Sequence, residues 1–243
     1  MRNMLVNSRL IFGTSICAAT AWADFFGQAV IKPFWTSPST ISVSSSSAAD
    51  VMTSGNGAWI VRVWGLNSAF EIIYEDLQLN GQTEVTGTKQ FYRVNSAEVI
   101  LAKDGYTNVG DIYVYGSGDT PASGVPAAPA TYLGAKIIAG EGIGRSCSFT
   151  VPNGSPVKIH GMILGQYDTA ARYVRLRYGI RNAGENIFKY YPFGSLISAA
   201  TSIAQVEFNS PIVVPARADF RLQSYGSAAG STCDACLIVT EAE

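Results

Sequence analysis

Charge is what this chain has least of. Of its 243 residues, 14% are Asp, Glu, Lys or Arg, against about 25% in an average globular domain. Much of its surface must therefore be uncharged polar or covered by another chain, which favours a subunit of an assembly over a freely diffusing enzyme. The formal net charge of −1 supplies no long-range attraction for a nucleic-acid backbone. Histidine is nearly absent: His160 alone is present. It sits inside the strand-like stretch 157–162, with no G-x-S-x-G sequence elsewhere, so a Ser-His-Asp arrangement lacks its setting. Adjacent carboxylates such as Glu75 and Asp76 would point to opposite faces of a strand and cannot share acid-base work. The expectation is a protein that is not an enzyme and carries no cofactor.

Cysteine is also scarce. Cys17, Cys147, Cys233 and Cys236 are too few for a disulfide scaffold in a chain of 243 residues. Cys233-Asp234-Ala235-Cys236 has the spacing of a redox or zinc half-site, but zinc needs two further ligands and only Cys17, Cys147 and His160 remain. The plainer reading is thiols, or one local disulfide beside the last strand, and no metal. A long apolar run is missing too. Residues 10–21 are too short, and too interrupted by Gly13 and Ser15, to span a membrane as a helix. With Arg2 and Arg9 ahead and Ala21-Trp22-Ala23 behind, this stretch has the grammar of a secretory leader. The alternative, adopted as the expectation, is an ordered N-terminal arm over residues 1–35. Its apolar side chains Leu10, Ile11, Phe12, Phe25 and Phe26 would then lie against another chain.

What the chain has in quantity is alternation. In residues 58–64 and 70–79, β-branched and aromatic residues recur at about every second position, the repeat of a half-buried strand. Asn80-Gly81 follows, and this pair suits a type I′ turn, so residues 70–88 are expected to fold back as a hairpin. Further strand signals lie at 90–101, 111–115, 147–151, 156–164, 172–181, 204–208, 218–225 and 236–240, and only residues 195–203 suit a short helix. Residues 24–50 read as a connection ending in the run Ser44-Ser45-Ser46-Ser47. The stretch 117–130 carries three prolines and two glycines and cannot be a central strand. The predicted fold class is all-β: two antiparallel β-sandwich or jelly-roll-like units with an N-terminal arm. The predicted boundaries are 1–35 for the arm, 36–120 for the first sandwich, 121–130 for a Pro/Gly-rich linker or loop, and 131–243 for the second sandwich.

Alternation across residues 172–181 puts Val174, Leu176, Tyr178 and Ile180 on one face and Arg175, Arg177 and Arg181 on the other. Arg217 or Arg221 would join the arginines if the strands pair. Such a row docks an acidic protein surface, lines a nucleic-acid-facing wall, or, most plainly, forms a solvated sheet face with ion pairs to Asp219 or Glu207. Gly140-Glu141-Gly142-Ile143-Gly144-Arg145 has the look of a phosphate loop, but a β segment follows it where a helix is needed, so it reads as a turn. The aromatics of residues 188–193 would suit sugar stacking, or more plainly a core or subunit interface.

The order of turn and strand phrases adds a resemblance. Gly-Leu-Asn at 65–67, Glu-Asp-Leu-Gln-Leu-Asn-Gly-Gln-Thr at 75–83, Val-Thr-Gly-Thr-Lys-Gln-Phe-Tyr-Arg-Val-Asn at 85–95 and Thr-Asn-Val-Gly-Asp-Ile at 107–112 resemble a β-rich family of virion structural proteins of tailed bacteriophages. Phe149-Thr150-Val151-Pro152-Asn153-Gly154 and the Arg-rich strand at 174–177 are similar to its C-terminal half. The similarity covers residues 40–240 roughly and leaves out residues 1–35. The resemblance implies a virion location and a structural role, foremost a head decoration or cement protein, with a tail, neck or fibre component binding a host glycan or receptor as the alternative. The partners it implies are the major capsid protein or other virion proteins, and a homo-oligomer, a trimer where it meets a local threefold. Neither nucleic acid nor membrane is an expected partner. Arg175, Arg177 and Arg181, with Leu10, Ile11, Phe12, Phe25 and Phe26, are the expected contact residues.

Overall fold

The computed structural model describes residues 8–17, 21–103, 105, 107–167, 172–198, 201–226 and 232–241. Among the described residues the regular structure is nearly all strand, with a single four-residue helix. In order it forms β1 (Ser8–Ile16), β2 (Ala23–Asp24), β3 (Ser39–Ser45), β4 (Ala58–Leu66), β5 (Ile72–Gln78), β6 (Val85–Phe91), β7 (Arg93–Ala102) and β8 (Ile112–Gly116). The one-turn helix α1 (Pro129–Tyr132) follows, then β9 (Leu133–Ile137), β10 (Phe149–Thr150), β11 (Val157–Tyr167) and β12 (Arg172–Arg181). The last strands are β13 (Lys189–Ser198), β14 (Thr201–Val214), β15 (Asp219–Gly226) and β16 (Thr232–Glu241). The all-β class is as the alternation predicts.

Two compact units emerge, divided differently from the sequence expectation. One contains residues 1–29 together with 147–243, the other residues 30–146. In the second unit a sheet in the order β6-β3-β8-β9 packs on a sheet in the order β5-β4-β7. Val61 and Val63 of β4, Ile41 and Val43 of β3, and Ile112 and Val114 of β8 are fully buried in the core between them. The residues expected to be a linker fold as a loop of this unit. The Asp119 carboxylate gathers it by accepting the backbone N–H groups of Thr120, Ala127 and Ala128, and β9 then pairs with β8.

Three local expectations are overturned. β5 and β6 belong to different sheets, so Asn80-Gly81 is a crossing between sheets and not a hairpin turn. Gly81 takes a φ of +58° but Asn80 has no positive φ, so the two left-handed residues of a type I′ turn are not both present. The Asn80 region bridges instead to Val51, and the Gly81 N–H donates to the Asp50 carbonyl at 2.8 Å. Residues 195–198 and 201–203 are strand, not helix. The serine-rich stretch before residue 46 is β3, a central strand between β6 and β8.

In the unit of residues 1–29 and 147–243, a sheet in the order β1-β16-β11-β14 faces a sheet in the order β10-β15-β12-β13, with β2 pairing on β15. Between them lie Phe25, Ile159, Met162, Leu164, Val174, Leu222 and Leu237, all buried. The expected arm is thus built into this sandwich. β1 pairs with β16 along all nine of its residues, from Ser8 with Thr240 to Ile16 with Thr232.

Candidate interaction surfaces

β1 places the apolar residues of the expected arm by strand alternation. Ile11 turns inward and packs on the core, while Leu10 and Phe12 turn outward and are 58% and 50% exposed. Antiparallel register then builds an outer face around them. Phe12, Cys236, Ile163 and Gln205 fall in one row across the sheet, and Leu10, Ile238, Gly161 and Glu207 in the row beside it. On the other side the row is Thr14, Asp234, Gly165 and Ile203, in which Thr14 Oγ1 donates to Asp234 Oδ1 at 2.6 Å and Ile203 is 72% exposed. Apolar atoms therefore run across the four strands, with charge confined to Asp234 and Glu207 in these rows. Phe25 and Phe26 do not contribute: they are 0% and 1% exposed, held within the chain's own fold. The Phe25 N–H donates to the Leu222 carbonyl at 3.1 Å and its carbonyl accepts the Cys147 N–H at 2.7 Å.

The arginine row lies on the outer face of the other sheet, as alternation predicts, but most of it is engaged within the chain. Arg177 is held between two rings, its guanidinium 4.0 Å from the centre of Trp22 and 3.8 Å from that of Tyr190. Its Nε donates to Gln223 Oε1 at 2.8 Å, and Gln223 Nε2 donates in turn to Asp24 Oδ1 at 2.7 Å. Burial lowers the Arg177 pKa from its ordinary value. Arg181 donates through Nε and Nη2 to Asp219 Oδ2, at 2.9 and 2.5 Å. Arg221, opposite Gly179 in the register, joins the face and lies over Phe188 at 3.9 Å. Arg217 is elsewhere, donating to Asn153 Oδ1. Arg175 alone of the three predicted residues is exposed, with its guanidinium 5.5 Å from the Tyr173 ring. Sequence reasoning placed the face correctly but missed Trp22, Asp24 and Gln223, since neither β2 nor its pairing with β15 has a sequence signal in two residues.

His160 is exposed, and its Nε2 meets Thr240 Oγ1 at 2.8 Å. No cluster of three or more metal-ligating side chains occurs among the described residues. Cys233 and Cys236 are three residues apart on one strand and so face opposite sides of the sheet, which rules out the local disulfide between them. Gly140 and Gly142 take positive φ in a turn, as expected for that loop. Among the described residues no helix is long and apolar enough to cross a membrane.

No family model matches the chain, and no curated protein matches it. Among solved structures it is similar to a Cry1Da tryptic core variant of Bacillus thuringiensis, with 11% identity, 93% of this chain and 59% of that chain covered, and a TM-score of 0.25. It is similar to the VP2 subviral particle of infectious bursal disease virus, with 11% identity, 97% and 72% covered, and a TM-score of 0.26. A third similarity is to the CBM22-1–CBM22-2 tandem domain of Paenibacillus barcinonensis Xyn10C, with 12% identity, 98% and 92% covered, and a TM-score of 0.26. None of these scores marks a shared fold, and none assigns the chain to a family.

Proposed function

We propose that this chain is a non-catalytic structural subunit of a virus particle, of the tailed-bacteriophage kind its sequence resembles, and that it decorates the head by binding the major capsid protein. The observation that carries the reading is the outer face of the sheet β1-β16-β11-β14, where Leu10, Phe12, Ile163 and Ile203 are exposed on one continuous surface. An extended apolar face on a sheet is a surface made to be covered, and the low charge of the chain agrees with it. A cement protein works by adding such contact across seams between capsid subunits, and a trimer presents three copies of one face to a local threefold.

Quantifying the chain in purified particles tests the reading. Copy numbers on the scale of the capsid lattice are expected, with loss of decoration when Phe12 and Ile203 are both replaced by Glu in a subunit that still folds. A few copies at a tail or vertex, or full occupancy by the double variant, would overturn it.

A further inference from the structure

We infer that Cys17 and Cys233 are the two halves of a disulfide that ties the N-terminal strand of the chain to its C-terminal strand. Their sulfurs lie 3.9 Å apart, in van der Waals contact, across a sequence separation of 216 residues. Cys17 follows the last residue of β1, and Cys233 lies on β16 opposite Ser15. Both side chains are 1% exposed. All four cysteines are thiols in the structure, and a disulfide needs the sulfurs to close to about 2.05 Å. The surroundings are polar for a buried site: Cys17 Sγ is 3.4 Å from Ser224 Oγ, which is itself 2.7 Å from Ser15 Oγ.

The other two cysteines are placed not to compete. Cys147 Sγ approaches the carbonyls of Ile11 and Ala235 at 3.6 and 3.8 Å, and its burial pushes the thiol well above its ordinary value, away from the reactive thiolate. Cys236 is on the opposite face of β16 from Cys233, in the row with Phe12. The reaction is exchange with a small disulfide of the glutathione class. The thiolate of one cysteine attacks that disulfide and releases one small thiol. The second cysteine then attacks the protein sulfur of the mixed disulfide and releases the other, so two protein thiols are oxidised and one small disulfide is reduced to two thiols. Because both sulfurs are covered in the folded chain, exchange takes place while the end of β1 is still undocked from β16.

The test is to refold the full chain in a glutathione redox buffer, alkylate it in denaturant without reductant, and map the four cysteines by mass spectrometry. Alkylation at Cys147 and Cys236 only, with a Cys17–Cys233 linked peptide pair that reduction separates, is expected. The melting midpoint should fall by about 5–15 °C on reduction, since the cross-link closes a very long loop. Cys17→Ser should abolish that fall. The double variant Cys147→Ser, Cys236→Ser keeps the pair and should show no alkylation at all, which gives the same reading should Cys17→Ser not fold. Alkylation of Cys17 and Cys233 in the refolded chain, a different pairing, or a midpoint that reductant does not move would overturn the inference.

Discussion

Asp50 shows how one side chain sets a loop in this protein. Fully buried, its carboxylate accepts the Ser45 hydroxyl at 2.6 Å and the N–H groups of Ala58, Val109 and Gly110 at 2.8, 2.9 and 2.8 Å. Every contact is a donor aimed at an anion, so the site suits a carboxylate and not an amide. Asp50→Asn turns one oxygen into a donor facing donors, and a loss of roughly 2–5 kcal/mol is expected from denaturant unfolding. The arginines divide by the same logic. Arg181→Ser strands the buried Asp219 carboxylate, whose other oxygen is occupied by the Thr150 hydroxyl, and should cost about 3 kcal/mol or more. Arg175→Ser, on an exposed side chain that makes no ion pair among the described residues, should change stability by less than about 0.5 kcal/mol. Equal losses for the two variants would refute this division of the row.

At the scale of elements, strands with apolar alternation were legible and strands made of serine were not. β3 reads as low complexity because Ser has no strong strand preference. The structure makes it central by burying Ile41 and Val43 on one face and satisfying hydroxyls on the other. Ser42 donates to Glu84 Oε1 and Ser44 to the Gly124 carbonyl, while Ser45, on the face of Ile41 and Val43, donates to Asp50. Glu84 and Gly124 lie far along the chain, so no local pattern announces them. The Asn80-Gly81 turn was legible as a turn, but which sheet each flanking strand joins depends on cores formed by distant segments. β8, β9 and Asp111 just ahead of β8 hold groups whose titration depends on folding. Burial by itself would raise the Asp111 carboxyl, but the Lys136 ammonium at 2.7 Å and the Ala139 N–H outweigh it and hold it below its ordinary value. The unfolded chain then binds that proton more readily, so this stabilisation is complete above about pH 3.9 and is lost as pH falls through the lower folded value. Burial, with Asp111 beside it, pushes Tyr113 up to about 12, and burial does the same for Tyr115. Their contribution is complete below the ordinary tyrosine value of about 10 and is lost as pH rises through the folded one. Asp111→Asn should flatten the acid limb of a stability–pH curve, and Tyr113→Phe should remove one late phenolate from an alkaline absorbance titration. An acid limb unchanged in the first variant would exclude Asp111 as its source.

At the scale of the whole chain, the sandwich count was legible from strand number and turn spacing, while the boundaries were not. The division falls at residues 29 and 146 because the N-terminal strands complete the C-terminal sandwich, a pairing between segments more than two hundred residues apart. For the same reason the outer face proposed for docking was half legible: Leu10 and Phe12 stand out in the sequence, but Ile163 and Ile203 join them only through the register. The sequence reading of residues 1–35 as a separable arm implies that their removal leaves a folded protein. The structure implies the reverse. Removing them takes Phe25 out of a core where it is fully buried, a loss of about 3–5 kcal/mol by itself, and bares the backbone edge of β16 to other chains. A chain starting at residue 36 is therefore expected to aggregate through residues 147–243, seen as early light scattering and loss of protease resistance there. Residues 30–146 expressed alone keep both of their sheets and their own core and are expected to unfold cooperatively with a β-type circular dichroism spectrum. Residues 147–243 should regain solubility only when residues 1–29 are supplied, in cis or as a peptide. A soluble, cooperatively folded 147–243 without that segment would show that β1 is an accessory to the sandwich and not a part of it.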